Sequence, residues 1–285
     1  MVIYAFIKIK KKAVAMPEIL SYSFMQHALI ATVLISICIG IVGTLITVNR
    51  MVFLAGGIAH GSYGGIGIAI FFGFMPILGA TLFAILLSII IAAVSYKNKE
   101  RIDPVIGAMW AAGMAIGIIF TDLTPGYNVD LMSYLFGSII SVSKSDLYIM
   151  TCFDLLILVL VSLFHKELLA LSFDSEFAKL RGIKTKLLYY MLLIIIGFSI
   201  IVTIRAVGLI LVIALMSIPT FIAEKFSNSL YKMMFISFLL TLTFSICGLI
   251  LSYYFDISSG ATIILTASLF FFVFTAITTK PFKKI

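Results

Sequence analysis

The sequence contains little charge. Aspartate, glutamate, lysine and arginine make up 11% of its 285 residues, whereas 62% of the residues are hydrophobic. Soluble globular domains carry about 25% charged residues. This shortage, with a mean hydropathy of +1.23, excludes a water-facing surface over most of the molecule. The chain is therefore predicted to be an integral membrane protein whose surface lies against lipid or other helices.

Cysteines and several catalytic motifs are also scarce. Cys38, Cys152 and Cys247 stand far apart in apolar segments, which excludes a CxxC metal cluster and a disulfide framework. The sequence contains no GxxxxGK[ST], so it has no phosphate-binding loop of its own. It also contains no HExxH or GxSxG, the motifs that would support an intramembrane enzyme. Any ATP hydrolysis is therefore expected in a separate chain.

The positive charge is concentrated between the apolar segments. A net charge of +8 would elsewhere indicate nucleic acid, but here the basic residues cluster at Lys97–Arg101, Lys166–Lys186 and Lys280–Lys284. Cytoplasmic loops of membrane proteins carry such an excess of lysine and arginine. Nine crossings place these clusters on one side, which is predicted to be the cytoplasm. No nucleic-acid partner is expected.

The apolar segments are long enough to cross a bilayer, because a transmembrane helix needs about 20 residues. They lack the alternation of barrel strands, so the predicted fold class is all-α, a polytopic bundle of transmembrane helices. Turns are expected near Gly73–Pro76 and near Arg205. The nine predicted spans are 27–48, 52–73, 75–96, 105–121, 146–164, 187–205, 207–223, 232–255 and 258–279.

The chain is expected to form a single transmembrane domain, residues 16–285. Residues 1–15 are interpreted as an extension that is not native, with Met16 as the natural start. Nine crossings would place the lysines at positions 8–12 on the outer side, against the charge rule. The longest loop on the predicted cytoplasmic side is 165–186.

This loop contains a predicted short helix, Asp174–Arg181. Ser172 or Asp174 can cap its N-terminus. Glu176 lies in its first turn, and Gly182 closes its C-terminal end. A short capped helix with both signs of charge is suited to docking on another protein, and it is equally suited to a solvated connector.

His60 is the candidate metal ligand, because it lies near the middle of its predicted span. Ionisable groups inside a membrane are costly and mark functional sites, and neutral imidazole binds zinc, iron and manganese. The alternative is a histidine hydrogen-bonded to a neighbouring helix. Surrounding glycines would let a second helix approach closely, and we expect them to line an ion path or pack helices: Gly56, Gly57, Gly61, Gly64 and Gly65.

Asp154 is the second candidate, in the middle of the predicted span 146–164. An ionised carboxylate at this depth must be paired, hydrated or neutralised. It either supplies an oxygen ligand to the metal or bonds to a hydroxyl group on a packed helix. The sequence leaves both interpretations open.

Six motifs in order carry a resemblance that covers nearly the whole chain, from about Met16 to Thr279. They are RMVFLAGGIAHGSYGG at 50–65, DPVIGAMWAAGMAIG at 103–117, DLMSYLFGSI at 130–139, FDSEFAKLRGI at 173–183, RAVGLILVIALMSIPTFIA at 205–223 and SYYFDISSGATIIL at 252–265. In this order they resemble the metal-type permeases of ABC transporters, a family that imports zinc, manganese or iron(II).

The resemblance implies a multi-pass protein of a bacterial or archaeal cell membrane that forms a homodimer or pairs with a related permease. The implied partners are cytoplasmic ATPase subunits and an extracytoplasmic metal-binding protein. The chain would hold no cofactor of its own and would transport a divalent metal ion. The alternative is a stand-alone secondary transporter of a cation or small metabolite, but no clear internal repeat is visible.

The resemblance also assigns roles to residues. The segment 173–183 matches the helix that docks into the ATPase, so the predicted coupling residues are Phe173, Asp174, Glu176, Ala178 and Gly182. His60 matches a histidine of the ion path. Many members carry an aspartate four residues before it, where this chain has Gly56. The missing carboxylate leaves the choice of metal open.

Overall fold

The computed structural model describes residues 21–96, 102–125 and 137–278. Residues 1–15, the basic clusters Lys97–Arg101 and Lys280–Lys284, and most of the 130–139 motif lie outside these ranges. Within them every regular element is helical. The described residues therefore have the all-α fold that the sequence predicts.

Nine helices in the described ranges are long and apolar enough to cross a membrane, as predicted. Two short helices, α6 (His165–Phe173) and α7 (Ser175–Leu180), lie between the fifth and sixth of them. The nine are α1 (Ser23–Val48), α2 (Val52–Phe71), α3 (Pro76–Ser95), α4 (Asp103–Asp122), α5 (Lys144–Leu163), α8 (Thr185–Val207), α9 (Leu209–Phe226), α10 (Leu230–Phe255) and α11 (Ser259–Ile277).

The most enclosed helix is α2. In its central window 83% of the residues are buried, compared with 22% in α4 and 28% in α11. It packs between α3 and α4 and also contacts α8 and α9, whereas α1 packs against α5, α9 and α10. The outer helices direct apolar side chains away from the bundle, as expected for surfaces in contact with lipid or a partner chain.

The turn predicted near Arg205 is placed incorrectly. Arg205 lies inside the last turn of α8, and the chain turns at Gly208, whose φ and ψ are 80° and 164°. Only glycine adopts this region readily, because a Cβ would clash there. The predicted turn near Gly73–Pro76 is confirmed, with Gly73 at φ 72° and Pro76 in the first turn of α3.

The predicted cytoplasmic loop, residues 165–186, is more helical than expected. The predicted helix Asp174–Arg181 appears as α7, Ser175–Leu180, but the preceding nine residues form α6 rather than a loop. Leu168 and Leu171 are the buried residues of α6. Their apolar packing against the bundle stabilises this helix, although its charged residues had indicated a solvated loop.

Candidate metal site and coupling segment

Glycine contacts hold α2 against α3 and α4. A Cβ at Gly65 would overlap the carbonyl group of Gly79 in α3, and a Cβ at Gly67 would overlap the backbone of Gly117 in α4. Backbone cannot move aside as a flexible side chain can. The two seams therefore depend on glycine and set the position of α2 in the bundle.

Three of the predicted glycines belong to the same seams. Gly57 packs against Ile106, and a Cβ at Gly61 would lie 2.5 Å from Cδ1 of Leu87. A Cβ at Gly64 would lie 2.8 Å from the carbonyl oxygen of Gly113. Together with Gly65 they serve helix packing within this chain.

Gly56 differs from the others, because a Cβ added there would meet no atom within 4 Å. It precedes His60 by about one helical turn, on the same side of α2. Gly56, although buried, therefore leaves room for at least a Cβ atom on the side of α2 that carries the imidazole.

His60 is half-buried and lies against a tryptophan of α4. The ring centroids of His60 and Trp110 are 4.0 Å apart, and the two ring planes differ by 8°. The Nδ1 atom of His60 is buried and has no hydrogen-bond partner in the described part of the chain. The predicted alternative, a hydrogen bond to a neighbouring helix through this nitrogen, is therefore not what holds the ring.

The helix that carries His60 is interrupted two residues later. Ser62 separates two helical segments, Val52–Gly61 and Tyr63–Phe71, and its hydroxyl group donates a hydrogen bond of 2.6 Å to the carbonyl oxygen of Ala59. The irregularity is local, because Ser62 keeps right-handed helical dihedrals and its N–H bonds to the carbonyl oxygen of Ile58. The helix α2 therefore continues through Ser62 as one span.

Asp154 occupies a different part of the bundle. Its side chain is 4% exposed on α5, which packs against α1 and α8. Cys38 lies close enough to interact with it electrostatically, and the thiol of Cys38 lies 4.0 Å from the hydroxyl group of Thr203. No cluster of three or more histidine, cysteine, aspartate or glutamate side chains occurs within the described ranges. His60 and Asp154 thus have separate surroundings.

An ion pair joins α5 and α8 on the predicted outer side. Nε of Arg205 lies 2.7 Å from Oδ1 of Asp146. The other carboxylate oxygen of Asp146 accepts hydrogen bonds from the backbone and hydroxyl groups of Ser143, which form a capping box at the start of α5. Two cavities of about 210 and 220 Å³ lie on either side of Arg205, and Tyr63 lines the first.

The predicted coupling segment, residues 173–183 and called the coupling segment below, contains α7 with both ends fixed. Asp174 accepts hydrogen bonds from the backbone groups of Glu176 and Phe177, at 3.0 and 2.9 Å. At the other end Gly182 has φ 79°, and its N–H bonds to the carbonyl oxygen of Lys179. Asp174 is thus the cap rather than Ser172, and Gly182 closes the helix as predicted.

The side chains of the coupling segment fall into two groups. Ala178 is fully buried and packs toward the bundle, so it cannot contact a partner directly. Phe173, Phe177 and Leu180 are 73%, 52% and 87% exposed. Sequence reasoning missed Phe177 and Leu180, although apolar residues three apart in a short polar helix are a signal that could have identified them.

A family model and several known proteins match this chain over most of its length. The model of the ABC 3 transport family matches residues 21–278. The chain belongs to this family. The permease is 45% identical to a membrane protein of Synechocystis, over 91% of this chain and 92% of that one. It is 31% identical to the manganese transport system membrane protein MntC of Halalkalibacterium halodurans, over 89% and 87% of the two chains.

A solved structure shows the same fold. A chain of PsaBC from Streptococcus pneumoniae, in complex with Fab, matches the permease with a TM-score of 0.82 and 30% identity, over 94% of this chain and 96% of that one. The resemblance to the metal-type permeases of ABC transporters is thereby confirmed. This membership removes the stand-alone secondary transporter as an alternative.

Proposed function

We propose that the permease carries a divalent metal ion into the cytoplasm, with manganese as its first candidate and zinc and iron(II) as competitors. The names of the relatives support manganese, since one of them is a manganese transport system protein. ATP hydrolysis takes place in separate cytoplasmic subunits, and an extracytoplasmic protein delivers the ion. Two copies of the permease, or two related permeases, enclose the path in a bacterial or archaeal cell membrane.

The observation that carries the proposal is the half-buried imidazole of His60 beside open space at Gly56. A path for an ion needs a ligand that the ion can reach in the membrane interior, and two observations support His60 in this role: it lies near the middle of α2, and there is open space one turn away at Gly56. Imidazole suits zinc and iron(II) well and binds manganese more weakly, whereas magnesium and calcium prefer oxygen ligands. Without a carboxylate at position 56, the site holds the ion weakly enough to release it.

The coupling segment supports the ATP-driven part of the proposal. Phe177 and Leu180 on the capped helix α7, with Phe173 at the end of α6, are exposed apolar side chains of the kind that suits a groove in another protein. The other predicted coupling residues act indirectly in this proposal. Asp174 caps α7 and Gly182 ends it. Glu176 supplies charge in the first turn, and Ala178 packs α7 against the bundle.

The first test uses vesicles that contain the permease with its ATPase and its metal-binding protein. ATP-driven uptake of radioactive manganese is compared between wild type, His60→Ala and His27→Ala. Loss of an outer-shell partner costs a metal site about 10–100-fold, so loss of the ligand itself is expected to lower uptake about 100-fold. The matched control His27→Ala, a histidine near the start of α1, is expected to stay within about twofold of wild type.

Full uptake by an assembled His60→Ala permease would remove His60 from the path. Competition by zinc and iron(II) in the same vesicles ranks the ions. Uptake without ATP would contradict the ATP-driven mechanism.

A second pair of variants tests the coupling segment. Leu180→Asp is expected to abolish ATP-driven uptake while leaving manganese binding at His60 intact, because a charge replaces an apolar contact with the ATPase. Lys179→Ala changes a neighbouring exposed residue and is expected to retain uptake. Loss of uptake in both variants, or in neither, would contradict docking through the apolar side chains.

The domain proposal has its own test. The permease domain is proposed to comprise residues 16–285, so a variant that begins at Met16 is expected to insert and transport like the full sequence. Loss of membrane insertion in that variant would show that residues 1–15 belong to the functional protein.

A further inference from the structure

Trp110 lies face to face with His60. The centroid distance of 4.0 Å and the angle of 8° describe a nearly parallel stack, which covers one face of the imidazole. The indole is itself held in place, because its Nε1 donates a hydrogen bond of 3.0 Å to the sulfur of Met114. The ring of Phe53 lies 6.4 Å from the indole.

The backbone beneath this stack is fixed as well. Gly113, one turn after Trp110, packs directly against the backbone of Gly61, the residue after His60. The two aromatic rings are therefore carried by α2 and α4, and the distance between these helices is set by the backbone contact of Gly61 with Gly113. A small displacement of α4 would change the stack, and the glycine seam prevents it.

A metal-binding histidine usually donates its other ring nitrogen to a carboxylate, a carbonyl group or water, and this bond fixes the orientation of the ring. For His60 no group in the described ranges bonds to the buried Nδ1 atom. The residue one turn earlier is Gly56, which has no side chain. Among the described side chains, Trp110 is the ring that stacks on the imidazole.

We infer that Trp110 is a positioning residue for His60: its indole face holds the imidazole in the plane from which the ring binds the transported metal ion. The inference rests on the proposed function, since it assumes that His60 is a ligand. It adds a residue of α4 to the site. The face of an indole also attracts positive charge more strongly than other aromatic rings do, so a metal-bound imidazole keeps the stack.

The sequence offers a direct reporter, because Trp110 is its single tryptophan. The full chain in lipid nanodiscs is titrated with Mn²⁺, with Zn²⁺ and with Mg²⁺ as the control ion, while tryptophan emission is recorded. Mn²⁺ is expected to quench the emission in a saturable manner, and Mg²⁺ is expected to have no effect. His60→Ala is expected to abolish the saturable change.

Equilibrium binding of radioactive manganese then separates the contributions of the residues. Trp110→Ala is expected to raise Kd about 10-fold, the lower end of the effect of an outer-shell partner. Trp110→Phe keeps an aromatic face and is expected to stay within about threefold of wild type. The matched control is Phe120→Ala, which removes another aromatic contact between α4 and α2, with Phe71 at 5.3 Å, away from His60.

The same variants are compared in uptake. Trp110→Ala is expected to raise KM for manganese about 10-fold while kcat stays within about twofold, and Trp110→Phe restores KM. Equal Kd values for Trp110→Ala and Phe120→Ala, with His60→Ala still defective, would overturn the inference alone. Normal binding by His60→Ala would overturn the metal site itself. If Trp110→Ala does not fold, an unchanged wild-type emission at saturating Mn²⁺ still overturns the inference.

Discussion

Two ionisable side chains lie near the middle of apolar helices long enough to cross a membrane, and they differ in how closely their surroundings are packed. His60 is half-buried beside open space at Gly56, whereas Asp154 is 4% exposed and enclosed by α1, α5 and α8. Both would be costly in lipid. His60 has open space one helical turn away at Gly56, whereas Asp154 is packed among helices. We therefore take access, judged from this space, as the reason to prefer His60 over Asp154 as the candidate ligand.

The two regions are also held together differently. Around His60, backbone contacts between glycines fix three helices, with no ionised pair in the described seam. On the other side of the bundle, polar contacts hold α8: the thiol of Cys38 in α1 lies near the hydroxyl group of Thr203, and Arg205 pairs with Asp146 in the first turn of α5. Each arrangement can be tested by a variant that disturbs one region and leaves the other intact.

The largest effect is expected at the glycine seam. Gly65→Ala would press a methyl group into the backbone of Gly79, and overpacking of this kind costs about 3 kcal/mol at the upper end. Thermal unfolding in detergent should show a strong loss of stability. Gly56→Ala is the matched control and should be neutral or slightly stabilising, by up to about 1 kcal/mol, because its methyl group meets no neighbour. Equal stability of the two variants would contradict the seam.

The next effect concerns the ligand set. Gly56→Asp would place a carboxylate one turn before His60 in open space, so it should bind manganese about 10-fold more tightly and release it more slowly, with lower kcat. Equilibrium manganese binding and uptake measure the two changes. Gly56→Asn supplies a similar volume without the charge and should change Kd little. Unchanged affinity in Gly56→Asp would place the ion away from this face of α2.

A smaller effect is expected where α5 meets α8. Arg205→Gln should destabilise the permease by about 1 kcal/mol, because the guanidinium side chain is 42% exposed. Asp146→Asn should cost about 1 kcal/mol more, since it also weakens the capping box with Ser143. In thermal unfolding the double variant should match Asp146→Asn alone. Additive losses would show that the two residues do not act as a pair.

The smallest effect is expected at Asp154 itself. Asp154→Asn keeps the shape of the side chain and removes the need to desolvate a charge, so manganese uptake and Kd should stay within about twofold of wild type. Loss of uptake by a folded variant would return Asp154 to the ion path and would weaken the argument from access.

The sequence predicts the fold well because the bilayer requires long apolar helices, and nine such segments stand out. The end of α8 was misplaced because Arg205 looked like a boundary, whereas its charge is accommodated inside the helix by Asp146. His60 and the missing carboxylate at Gly56 were visible from residue type and spacing. Trp110 was not, because its contact with His60 joins helices that are distant in sequence. The glycine pattern likewise predicted that α2 has a face for close helix packing, but it did not predict that α3 and α4 pack there.

The glycine seams also limit where a side chain can be added to α2. At Gly65 and Gly67 a larger side chain would displace the backbone of a neighbouring helix. Gly56 has no such neighbour and lies next to the imidazole. A single codon at that position could add or remove a hard oxygen ligand while the rest of the bundle stays the same. The proposed metal preference of the permease could therefore be altered at one position without a change of architecture.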